Sequence, residues 1–413
     1  MDYEDIIVAL KDGNVPSYGA TEICVGREKE LTEIKKLLIG ISEGKSYARF
    51  INGEFGAGKS FFLKMIEEYA FENNYVISKI TLNSSIPFNK IETVYRSIVS
   101  SLKCKTGSSL KHIIDKWIIN YDIMLQDEEE DQDKRNAIIR DNLLDDLEDA
   151  RICENSFAAA IENYYYLTIE NDNETANYAQ AWLRGNTNIP FKYKNKFGVK
   201  GDVTRENAFK FLGALSIFLK TIGYSGLVVL IDEAEHIMTL HTKKIRDTAY
   251  ENIRLIYDEC NGGNFKNSLF VFAGTNDFFD TRLGIFSYDA LRSRIEGKLD
   301  NSEHKDYRKP IIELEGFSRE ELLEVADEIM EIHKEVYDWD PQSRIKSCLD
   351  DIIGIHEVNA ELKRGRVTPR EFIIAFVSML DTIQQNPNDL TDDSAILKLF
   401  GETEEEIADE DDW

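Results

Sequence analysis

Two spacings of apolar residues alternate along this chain. Leu227-Val228-Val229-Leu230-Ile231 is apolar at every position, as a parallel strand covered on both faces should be. Before it, Ala208, Phe211, Leu212, Leu215, Phe218 and Leu219 hold helical spacing, so a helix feeds that strand. Residues 75–81, rich in β-branched side chains and closed by Asn83, Ser84 and Ser85, predict another strand, and so do 269–273 and 311–314, the last opened by Pro310. Phe50 and Ile51 lead into a glycine-rich stretch, after which Phe62, Met65, Ile66, Tyr69 and Ala70 return at helical spacing. Strands alternating with helices predict one parallel α/β sheet.

Roughly 140 residues separate the strand at 75–81 from the one at 227–231, far more than a crossover needs, and 104–200 has a helical pattern with polar gaps. An inserted helical subdomain is expected there. Beyond 314, Ser318 with Glu321 makes a capping box flanked by the apolar pair Phe317 and Leu322, and Thr368 with Glu371 repeats the device with Pro369 at the first helical position. A helical C-terminal domain therefore follows the sheet. The expected division is an N-terminal segment and first half of the core at 1–103, a helical insert at 104–204, the second half of the core at 205–316, a helical lid at 317–400 and an acidic tail at 401–413.

The glycine-rich stretch is Gly53-Glu54-Phe55-Gly56-Ala57-Gly58-Lys59-Ser60, which fits GxxxxGK[ST] at every fixed position and sits between a strand and a helix. The glycines let backbone N–H groups and the helix N-terminus face the phosphates of ATP. Lys59 can then reach the β- and γ-phosphates, and Ser60 can ligate Mg²⁺. The strand 227–231 runs into Asp232-Glu233, one carboxylate for the magnesium shell and one to activate water, a Walker B pair. The fold expected is thus a P-loop NTPase. Glu235, two residues on, reads as structural more than catalytic.

Three further places hold candidate chemistry. The strand at 269–273 ends in Gly274-Thr275-Asn276-Asp277, so that Asn276 or Thr275 positions the water if this strand neighbours the Walker B strand, or else the segment is a plain turn. Arg292 and Arg294 precede the strand at 311–314, where ring-forming ATPases present an arginine to the neighbouring subunit's nucleotide; surface ion pairing is the simpler account. Arg370 falls in the first turn of its helix, where the macrodipole disfavours a cation. Such a violation points to a role over the γ-phosphate, or to a carboxylate partner nearby.

Charge narrows the partners. Acidic residues number 76 against 49 Lys plus Arg, a formal charge of −27, so the overall field repels nucleic acid. Two acidic runs, 127–133 and 404–412, read as solvated loop and tail. Any DNA contact would be local, and Phe191-Lys192-Tyr193-Lys194-Asn195-Lys196-Phe197, if extended, offers one basic and one aromatic face; an amphipathic edge strand explains the same pattern. The five cysteines form no CxxC pair and fit a reducing cytosol. His236 and His241 diverge on a helix, which leaves magnesium as the one metal expected. Neither a leader nor a membrane span is expected, because Asp2, Glu4 and Asp5 follow Met1 and no run nears ~18 apolar residues.

Val25-Gly26-Arg27-Glu28, GEFGAGKS, the run ending Ile231-Asp232-Glu233-Ala234-Glu235, Ala273-Gly274-Thr275-Asn276-Asp277-Phe278-Phe279, and Thr368-Pro369-Arg370 with Phe372 occur in that order. Together they resemble the ATP-binding proteins of BREX-type bacterial phage-resistance systems, within the broader AAA+/STAND group. The resemblance covers about 15–103 and 180–385, and no motif matches in 104–179. It implies an AAA+-like cytoplasmic ATPase that forms a homo-oligomer, assembles with other defence proteins and acts on or near DNA. It also implies roles: Lys59 and Ser60 on phosphate and magnesium, Asp232 and Glu233 as the Walker B pair, Asn276 and Arg370 as the two sensors, Arg292 or Arg294 as a finger. Val25 and Gly26 would contact adenine through their backbone. A nucleotide-dependent switch or scaffold with slow turnover is the alternative, and an acidic interaction protein with a structural nucleotide is a third.

Overall fold

Seven strands build one sheet in the computed structural model, which describes residues 3–263, 265–297, 305–362 and 368–410. They are β1 (Ser46–Gly53), β2 (Val76–Thr81), β3 (Leu102–Cys104), β4 (Gly107–Ser108), β5 (Leu227–Asp232), β6 (Ser268–Gly274) and β7 (Ile311–Leu314), in the spatial order β4-β3-β2-β5-β6-β1-β7. β2, β5 and β6 pair in parallel, with Thr81 opposite Asp232 and Ile231 opposite Phe272. The apolar run at 227–231 is buried at every position because strands lie on both of its edges and helices cover its faces. β3 and β4 form an antiparallel hairpin edge that the apolar pattern did not announce.

The chain divides into two compact units: Ile34–Phe50 with Tyr69–Ile311, and Met1–Glu33 with Ile51–Glu68 and Ile312–Trp413. The first holds most of the sheet and the helices of 110–221 over a single apolar core. Trp117 and Phe157 lie edge-on to Phe218 at 5.2 and 6.0 Å, and Trp182 meets Phe211 at 5.6 Å. The segment expected as an insert is therefore built into the core of the sheet unit, and it opens with the β3–β4 hairpin.

The second unit gathers the N-terminal helix Tyr3–Lys11, the glycine loop and the C-terminal helices. Ile6, Ile7 and Leu10 share a core with Leu322, Ile329, Phe372, Phe376 and Phe400. Ser318 and Glu321 form the expected capping box, the Ser318 N–H donating to the Glu321 carboxylate at 2.7 Å. The expectation of a solvated acidic run at 404–412 is corrected within the described residues, outside which 411–412 lie: helix Asp393–Glu410 extends into it, and Glu404 is fully buried against His356 Nδ1 at 2.6 Å. Its apolar neighbours Ile396 and Phe400 pull that face of the helix into the core, and His356 and Asn359 satisfy the carboxylate. The other acidic run does include a loop, with Asp131 capping the helix that starts at Gln132.

Candidate active site

The glycine loop joins β1 directly to helix Lys59–Glu72. Gly56 and Gly58 take φ values of 76° and 85°, and this left-handed turn brings the helix N-terminus round to the loop. A helix N-terminus carries partial positive charge and unpaired N–H donors, the combination that suits phosphate. The Lys59 ammonium folds back over the loop, donating to the carbonyls of Gly53 at 3.0 Å and Glu54 at 2.8 Å. Ser60 follows as the second helical residue, while Glu54 and Phe55 stand exposed at the loop tip.

The same unit lays the start of a C-terminal helix on this loop. A Cβ built on Gly56 would lie 2.2 Å from the hydroxyl oxygen of Thr368, so the start of helix Pro369–Gln385 abuts the loop. Arg370, one residue into that helix, carries its guanidinium 6.0 Å from the centroid of the Phe55 ring. Glu371 turns back to accept from the Thr368 N–H at 2.6 Å and also from its hydroxyl. Val25 is buried in the apolar core of the unit, and the Gly26 N–H donates to Glu28 at 3.1 Å.

Arg27 escaped the motif reading, although it sits inside the Val25–Glu28 segment that reading used. Its Nη2 donates to the carbonyl of Glu315 at 2.5 Å and to that of Ala57 in the glycine loop at 3.4 Å, and its guanidinium stacks over Phe317. Burial pushes the guanidinium below its ordinary pKa, while Glu30, Glu321 and Glu315 act against that shift. The residue braces the loop from beneath. Only its partners betray this, and they lie 30 and 288 positions away.

In the sheet unit, β5 ends at Asp232, which is 5% exposed. Its carboxylate accepts from the N–H of Glu233 at 3.0 Å. Glu233 has φ 57° and ψ 43°, a left-handed conformation rare for a side chain of its size. Such backbone costs on the order of 1–3 kcal/mol and collects at functional sites. β6 does neighbour β5, the condition set for the segment at 274–277. Glu235 accepts from the Thr275 N–H at 3.4 Å, which ties the two strand ends together and fits a structural duty. Asn276 opens a short turn anchored by the buried rings of Phe278 and Phe279.

Arg292 and Arg294 both lie on helix Asp289–Ile295 and both meet carboxylates of their own chain. Arg292 pairs with Glu296 and Arg294 with Asp258, each at 2.6 Å. The extended basic strip is corrected: Phe191–Lys196 is helical, so its lysines and aromatics do not part onto two faces. Tyr193 and Phe197, four apart, are buried, with Tyr193 stacked on Tyr178 at 4.1 Å. Lys194 pairs with Asp202 at 2.5 Å and Lys196 with Asp172 at 2.7 Å, while Lys192 lies over the Tyr193 ring. Carboxylates already neutralise two of the three charges.

Ser60 carries a hydroxyl and Asp232 a carboxylate, each an oxygen donor of the hard kind that suits Mg²⁺. Among the described residues, no group of three or more His, Cys, Asp or Glu side chains is placed to hold a metal by itself. Nor is any helix among them long and apolar enough to cross a membrane.

No curated protein matches this chain. Among solved structures, the ORC2 protein of Aeropyrum pernix in ADPNP-ADP complexes is similar at 15% identity and TM-score 0.42, over 95% of this chain and 71% of that one. The family model for the BREX system ATP-binding protein BrxC/D matches residues 1–396. With a complete phosphate loop on β1 and an Asp-Glu pair at the end of a buried strand, this chain belongs to the BrxC/D family of BREX system ATP-binding proteins.

Proposed function

We propose that this protein hydrolyses ATP as the motor or timing component of a BREX antiphage system, working as a homo-oligomer with other proteins of that system and acting on or near DNA. The observation that carries the proposal is Glu233. It follows a buried carboxylate whose oxygen holds the Glu233 backbone N–H in an uncommon left-handed turn. A structural nucleotide needs no such base.

In this reading the loop 53–60 wraps the phosphates with its N–H groups, and Lys59 exchanges its two loop carbonyls for the β- and γ-phosphates. Ser60 and Asp232 would hold magnesium, which would neutralise charge on the phosphates. Glu233 accepts the proton of the attacking water, and Asn276 orients that water. Arg370 meets the γ-phosphate from the lid helix. Arg292 or Arg294 serves the nucleotide of a neighbouring subunit. The test is magnesium-dependent phosphate release: Glu233→Gln is expected to keep ATP bound while turnover falls by roughly 10²–10⁴. Normal turnover in that variant would remove Glu233 from the mechanism.

One observation favours a second reading, a nucleotide-dependent switch with slow turnover. Both finger candidates are engaged by carboxylates within the chain. If neither releases, ATP would hold a conformation that partners recognise, and hydrolysis would only reset it.

A further inference from the structure

Arg370 is gripped from a direction that none of the site residues supplies. Its Nε donates to the carbonyl of Gly13 at 3.2 Å. Gly13 closes the N-terminal helix Tyr3–Lys11, its own N–H bonded to the Leu10 carbonyl at 3.1 Å. It has φ 63°, and a Cβ there would lie 2.8 Å from Arg370 Nε and 2.8 Å from Ile374 Cδ1. Only glycine brings a backbone carbonyl this near the guanidinium.

The N-terminal helix is in turn fastened to the helix that bears Arg370. Ile6, Ile7 and Leu10 are buried with Phe372, Ala375 and Phe376. Lys11 Nζ, two residues before Gly13, donates to Asp381 Oδ2 at 2.5 Å. The other Asp381 oxygen faces His333 Nε2 at 3.1 Å, and Trp339 donates its indole N–H to His333 Nδ1 at 2.8 Å. An indole nitrogen only donates, so Nδ1 is the acceptor and Nε2 carries the proton toward Asp381. Asp381 thus has a donor on each oxygen, and Lys11 cannot shift without leaving a buried carboxylate short of a partner.

We propose that the N-terminal segment 3–13 is a positioning element of the nucleotide sensor: the Gly13 carbonyl aims Arg370, and the Lys11–Asp381 pair holds that carbonyl in place. The proposal rests on Arg370 being the residue that meets the γ-phosphate. An arginine pinned at Nε presents its planar fork in one orientation, and phosphate recognition by arginine depends on that orientation. Displacing Gly13 therefore weakens recognition of the γ-phosphate and leaves recognition of the α- and β-phosphates alone.

The experiment compares ATP and ADP affinities, with magnesium, in the full chain and in Arg370→Ala, Gly13→Asn and Lys11→Met. Asparagine tolerates a left-handed φ, so Gly13→Asn acts through its side chain on Arg370 more than through backbone strain. We expect Arg370→Ala and Gly13→Asn each to weaken ATP about tenfold and ADP less than about twofold, the scale of losing a hydrogen bond to a charged group. Lys11→Met should act in the same direction by about threefold, as a partly exposed pair would. Adding Gly13→Asn to Arg370→Ala should cost no further ATP affinity. If Arg370→Ala loses ATP selectively while Gly13→Asn and Lys11→Met keep the wild-type ATP-to-ADP ratio, the positioning role is overturned and the sensor reading stands. If Arg370→Ala itself keeps that ratio, the sensor reading fails. Parallel loss of ATP and ADP in Gly13→Asn would mark a merely structural contact. Should Gly13→Asn not fold, Lys11→Met decides by the same ratio.

Discussion

Gly56 of the phosphate loop lies so close to Thr368, the residue that opens the Arg370 helix, that a methyl group at 56 would sit 2.2 Å from the Thr368 hydroxyl oxygen. Replacing Gly56 by alanine must move either the loop or the helix start, and the left-handed φ of 76° adds backbone strain. Gly56→Ala is expected to lower stability by about 1–3 kcal/mol and to remove most ATP affinity. Thermal unfolding with and without ATP checks this: the ligand-induced rise in Tm should vanish in the variant.

The trans-finger and switch readings make opposite demands on assembly. If Arg292 or Arg294 serves a neighbouring subunit, specific ATPase activity should rise with protein concentration. One of Arg292→Ala and Arg294→Ala should then assemble normally yet hydrolyse slowly, by roughly 10³-fold or more, the scale known for arginine fingers. Activity independent of concentration in both variants would favour the switch.

Glu404 is fully buried and accepts from His356 and Asn359. Glu404→Ala leaves both partners unsatisfied and should destabilise the protein by on the order of 3 kcal/mol, as breaking a buried pair does. Glu406→Ala, two positions on and exposed, should change little. Urea unfolding of the two variants separates a buried anchor from a solvated tail.

Asp381 predicts a pH dependence. Burial would raise its pKa, but the bonds from His333 and Lys11 outweigh that and hold the carboxyl below its ordinary 3.8. The folded pKa is thus depressed. Its stabilising contribution is fully present above the ordinary value and is lost as pH falls through the folded one. Wild type should therefore lose more stability than Asp381→Asn between pH 5 and pH 2, read as the shift in urea midpoint.

The strands at 227–231 and 269–273 were legible because a strand covered on both faces must be apolar at consecutive positions, those at 75–81 and 311–314 through their β-branched residues and the turn cluster or proline that bounds them, and β2, β5, β6 and β7 lie within a residue of those limits. The capping box of Ser318 was equally plain, since its partner is three residues away. The phosphate loop needed nothing beyond its own eight residues, because three glycines, a lysine and a serine set the local backbone and its chemistry together.

Tertiary packing decided the rest, through partners distant in the chain. Phe191–Lys196 alternates as a strand would, yet a run so short fits either period, and burial of Tyr193 and Phe197 four residues apart selected the helix. Glu404 belongs to an acidic run that looks solvated. His356 and Asn359, 48 and 45 positions away, made its burial possible. Arg27 and Gly13 touch the site only through backbone carbonyls, a kind of contact that no side-chain motif records. The amino-acid sequence by itself determined the main strands, the helix caps and the phosphate-loop motif, because those depend on neighbours in the chain; the supports that aim Arg370 and brace the loop depend on contacts hundreds of positions apart, which only the folded chain brings together.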